Sequence, residues 1–93
     1  SELTGKVKSV SWNQLICHVE LEEASDSYSI DIRNKSDDES SSIVLSKPAR
    51  RRVQDDKARV MVDDSVQGQA AHVVLLNQEG VILDSKLTTV GGN

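Results

Sequence analysis

Apolar and polar residues alternate one by one through most of this chain, and that alternation dictates what it can fold into. In LICHVELE, Leu15, Cys17, Val19 and Leu21 fall on one face, and His18, Glu20 and Glu22 on the other. In SYSIDIR, Tyr28, Ile30 and Ile32 oppose Ser27, Ser29, Asp31 and Arg33; in KARVMVD, Ala58, Val60 and Val62 oppose Lys57, Arg59 and Asp63. A helix would scatter such residues around its axis. An extended chain gathers them on one side, because successive side chains of a strand point to opposite faces. Each segment therefore reads as a half-buried strand of an antiparallel sheet.

Four further segments complete the set. GKVKSVSW (5–12) is a strand in which Val7 and Val10 share a face only if a bulge intervenes. SSIVLS (41–46) is short, AAHVVLLN (70–77) is apolar on both faces and suits a central strand, and GVILDSKLTTV (80–90) is rich in β-branched residues. NQEG (77–80) reads as a tight hairpin loop with Gly80 available for a positive φ. EEASDS (22–27), NKSDDESSS (34–42) and DDSVQGQ (63–69) are polar connections, and no segment reads as a helix beyond one short turn in KPARRRVQDDKA.

Seven short strands in 93 residues predict a single all-β domain over 1–93, a small antiparallel β-sandwich, with an OB-like or other closed barrel as the alternative. With Trp12 and Tyr28 the only aromatics, aliphatic side chains must form the core. The expected core is Leu15, Cys17, Val19, Leu21, Tyr28, Ile30, Ile32, Val60, Val62, Val73 and Leu75. The alternating strands and the ending HVVLLNQEGVILDSKLTTV resemble immunoglobulin-like or fibronectin-like sandwiches. A Cys-Trp-Cys framework and a tyrosine corner are missing, so the resemblance implies an immunoglobulin-like architecture and no site residue.

One stretch stands apart. KPARRRVQDD holds the only proline, and Lys47, Arg50, Arg51, Arg52, Lys57 and Arg59 concentrate six of the eleven basic residues between 47 and 59. Such density can engage phosphates, which gives a nucleic-acid-binding alternative on an OB-like fold. Against it stand Asp55 and Asp56, which follow directly, the net charge of −4, and the lack of any aromatic stacking platform after Tyr28. The cluster therefore reads as an electrostatically balanced loop that docks onto a protein partner.

Catalytic chemistry finds little material. Cys17 and His18 are neighbours, but on a strand they point to opposite faces and form no dyad. Cys17 reads as a buried, inert thiol and His72 as a core or edge histidine. Two histidines and one cysteine show no zinc-ligand spacing, the paired aspartates lack an EF-hand pattern, and TTVGGN is no phosphate loop. The expectation is a non-enzymatic module without cofactor or metal. We expect it to act by contact as an accessory subunit of a homo- or hetero-oligomeric assembly, of the virion decoration or tail-accessory type. A small soluble enzyme inhibitor or regulator is the further alternative. No apolar run approaches the roughly 20 residues of a membrane helix, SELTGK has no apolar signal region, and a lone cysteine forms no internal disulfide. A cytoplasmic or virion location without membrane contact is expected.

Overall fold

The computed structural model describes residues 5–34 and 44–92, the side chains of 34 and 44–49 excepted. Seven strands follow in order: β1 (Val7–Asn13), β2 (Ile16–Leu21), β3 (Ser29–Asn34), β4 (Val44–Arg52), β5 (Lys57–Met61), β6 (Ala70–Leu76) and β7 (Ile82–Thr89). A 3-10 turn, Asp64–Val66, lies between β5 and β6. Its N-terminus is capped by Asp63, whose side chain accepts the Ser65 N–H.

Two antiparallel sheets form, β1-β2-β5 and β4-β3-β6-β7. No ladder joins them among the described residues, so the chain is a sandwich and the barrel alternative is set aside. β4 stays beside β3; in a constant-type immunoglobulin order the fourth strand joins the sheet of the fifth.

The alternation decides what each sheet buries. Cys17, Val19 and Leu21 of β2 and Ala58 and Val60 of β5 meet Ile30 and Ile32 of β3 and Ala71, Val73 and Leu75 of β6 in one core. Of the expected core, Leu15 and Tyr28 are only half-buried and pack against its margin. Val7, Trp12, Val53, Val66 and Val90, which the strand faces did not single out, are buried in it. The bulge needed in β1 is present as a register shift between Val7 and Ser9, and it brings Val7 and Val10 to the same side. Trp12 is buried because its indole N–H finds a partner, Thr88 Oγ1 at 2.9 Å across the sandwich.

β6 lies inside its sheet, as its two-sided apolarity predicts. Val73 and Leu75 face the core, while Val74 and Leu76 are buried outside that cluster, on the outer face. The β6–β7 turn is held by Asn77, whose side-chain oxygen accepts the Glu79 and Val81 N–H groups, and Gly80 takes φ +82°.

Two expectations need correction. The stretch through Lys47 to Arg52 is a strand, not a loop, since β4 runs from Val44 to Arg52, and KPARRRVQDDKA holds no helical turn. β4 is an edge strand, where Pro48 is tolerated because its missing N–H can face away from the ladder. The register shifts beside it, Ile32 pairing Ala49 and Arg33 pairing Val44. The polar connection over 35–43 and the side chain of Lys47 lie outside the described residues.

Candidate functional site

The corner between β4 and β5 carries the chain from one sheet to the other, and it distributes the basic residues. Val53 anchors it, with its side chain in the core and its N–H on the Tyr28 carbonyl at 3.0 Å. A two-residue turn follows, closed by reciprocal bonds between Gln54 and Lys57, with Asp55 at φ +58°. The carbonyls of Asp55 and Asp56 accept the N–H groups of Ser25 and Leu21. The turn is thereby fastened to the end of β2, and β5 begins beside it.

Strand alternation then gives the three consecutive arginines three surroundings. Arg50 lies opposite Asp31 on the outer face of the four-stranded sheet and grips it with two bonds, Nε to Oδ1 at 2.6 Å and Nη2 to Oδ2 at 2.9 Å. Arg33 adds Nη2 to Oδ2 at 3.2 Å. Asp31 is 4% exposed, and a carboxylate so enclosed stays charged only because two guanidinium groups satisfy it. The bond from Arg50, chiefly, holds the Asp31 carboxyl below the usual range, against the opposing effect of its own burial. Arg52, on the same face, donates to the Asp26 carbonyl at 3.1 Å.

Arg51 points the other way. It lies opposite Ile30, whose side chain is in the core, yet Arg51 on this edge strand is exposed and lines the same concavity as Lys57 and Arg59 of β5. β5 adds two more cations. Its register with β2 and β1 sets side-chain rows across the outer face: Asn13–Ile16–Met61, Ser11–His18–Arg59 and Ser9–Glu20–Lys57. Lys57 pairs with Asp56 at 3.2 Å in solvent. Arg51 and Arg59 have no carboxylate within ion-pair distance among the described residues. Met61 stands 66% exposed at the end of its row.

These groups line an open concavity of about 850 Å³ that runs from the outer face of the smaller sheet, past the β5 edge, to β4. Arg51, Arg52 and Gln54 bound it on one side, and His18, Arg59 and Met61 on the other. Four cations, Arg51, Arg52, Lys57 and Arg59, border it against two carboxylates, Glu20 and Asp55. The wall carries an excess of two positive charges in a chain whose total is −4.

The cluster read from the sequence is therefore divided: Arg51, Lys57 and Arg59 share the concavity, Arg52 reaches its rim, and Arg50 is committed to Asp31. What sequence reading missed is Asp31 itself, an outward residue of β3 whose partner lies nineteen positions away. Cys17 and His18 are on opposite faces of β2, Cys17 fully buried and His18 half-buried. Burial pushes the Cys17 thiol up to about 12. His72 sits on β6 in the row of Arg33 and Leu87, a whole sheet away from Cys17. Among the described residues no three His, Cys, Asp or Glu gather as a metal site, and no helix is long and apolar enough to cross a membrane.

No family model, curated protein or solved structure matches this chain. What the site can do rests on its own chemistry: two arginines without a carboxylate partner among the described residues, an exposed thioether and a sheet edge, gathered on one side of the molecule.

Proposed function

We propose that this chain is a non-catalytic docking module, an accessory subunit of a larger protein assembly, and that it engages an acidic protein surface through the β4–β5 margin. One observation carries the reading. Arg51 and Arg59 stand exposed and unpaired among the described residues around one concavity, with Met61 beside them, while the remainder of the chain is acidic. Arginine and methionine are the types enriched where proteins meet, because a guanidinium offers a fork of donors to carboxylates and a thioether adapts to an uneven surface.

The test is sedimentation of the tagged chain in extract of its source at low and physiological salt. We expect it to travel with a particle far larger than its own 10.2 kDa, and Arg51→Glu/Arg59→Glu to release it while keeping the wild-type melting temperature. A chain that travels alone under all conditions overturns the reading. So does micromolar binding of a labelled oligonucleotide at physiological salt, with log K falling linearly in log salt, since that is the behaviour of a nucleic-acid site.

A further inference from the structure

We infer that the partner is held by strand addition: an extended acidic segment pairs with the free edge of β5, and its alternate carboxylates meet Arg51, Lys57 and Arg59. This rests on the docking reading above and adds how the partner is gripped.

Main-chain bonding shows what the edge offers. β5 pairs with β2 alone among the described residues. In that ladder Leu21 N–H donates to the Asp56 carbonyl and Val62 N–H to the Leu15 carbonyl. Residues 56, 58, 60 and 62 therefore turn their backbone groups toward β2, and the groups of Arg59 and Met61 turn outward. Lys57 is closed off by Gln54. Two residues thus present an unmatched N–H and C=O each, as a receiving edge does.

The other three edges are protected. β4 carries Pro48 and a register shift, and β1 carries its bulge. On β7 the N–H of Ser85 is taken by the Asp84 side chain at 2.8 Å. The edge of β5 borders the concavity, whose wall runs from the outer face of β1 and β2 past Arg59 and Met61 to Arg51 and Arg52 of β4.

Charge selects the occupant. Full antiparallel overlap of two β5 strands would set Arg59 directly against Arg59, so a second copy is disfavoured. A strand with a carboxylate at every second residue sets one of them beside Arg59 and another within reach of Arg51 or Lys57.

The experiment uses the intact chain and a fluorescein-labelled nine-residue peptide of alternating glutamate and valine, with a second peptide N-methylated at the amides that would face β5. We expect the first peptide to bind, and N-methylation to weaken it at least about tenfold through loss of main-chain bonds. Amide exchange at Arg59 and Met61 should slow in the complex, and Arg51→Glu should weaken binding by about tenfold. Equal affinity for both peptides, or unchanged exchange at Arg59 and Met61, overturns strand addition while leaving surface docking intact. Failure of the first peptide to bind at millimolar concentration also overturns it. The docking reading falls separately, by the sedimentation result.

Discussion

At the scale of single residues, the fate of each charge follows from which way its strand turns it. Asp31 and Arg50 face one another on the outer face, and neither is interchangeable with its neighbours. Replacing Asp31 with Asn keeps the shape but leaves two guanidinium groups, both reaching solvent, against a neutral amide, and we expect a loss on the order of 1–2 kcal/mol in chemical denaturation. Arg51→Ala, one residue from Arg50, should change stability by less than about 0.5 kcal/mol. The same carboxylate sets an acid limb. Its folded-state pKa lies below the ordinary 3.8, so its stabilisation is complete above that value and is lost as pH falls through the lower, folded one. The steepness of acid unfolding should therefore be reduced in Asp31→Asn, and identical acid profiles would show Asp31 to be unpaired in solution. Cys17 provides a second check. With its thiol pushed up to about 12 and no exposure, it should react with a neutral-pH thiol reagent at the rate of global opening. Labelling within the mixing time would place it on the surface.

Among the elements, legibility tracked burial. β2, β3 and β5 each have one apolar face in the core and one polar face outside it, so their sequences alternate and their boundaries fell within a residue or two of those observed. β4 has no such signature beyond Leu45, because it is an edge strand whose later residues are basic on both faces. A charge run in an exposed strand and a charge run in a loop look alike in sequence. The site suffered the same ambiguity: its residue types were visible, but the division between Arg50 and Arg51 depends on the register of β3 against β4, which is set by contacts nineteen residues apart. The β6–β7 hairpin was legible because its turn is specified locally. Asn77 satisfies two backbone donors there, and Asn77→Ala should cost about 1–2 kcal/mol, read as a drop in denaturant midpoint without a change in slope. Gly80→Ala, at φ +82° in open space, should cost about 1 kcal/mol for backbone strain alone.

For the molecule as a whole, apolar packing joins the two sheets, and among the described residues two polar bonds between β1 and β7 add to it. Val7 N–H donates to Asp84 Oδ2 at 2.8 Å and Trp12 Nε1 donates to Thr88 Oγ1 at 2.9 Å. Residue numbers rise together along both strands, so β1 and β7 run parallel, with the start of one and the end of the other at opposite poles. Tension drawn through the two ends of the chain would slide these strands past each other lengthwise, stretching both bonds at once rather than unzipping them in turn. A subunit fastened between moving parts would meet strain in that direction with its most resistant geometry. In single-molecule pulling, where the unfolding rate governs rupture, Thr88→Val should lower the rupture force along this axis. The same substitution should leave pulling through β4 and β5 unaffected.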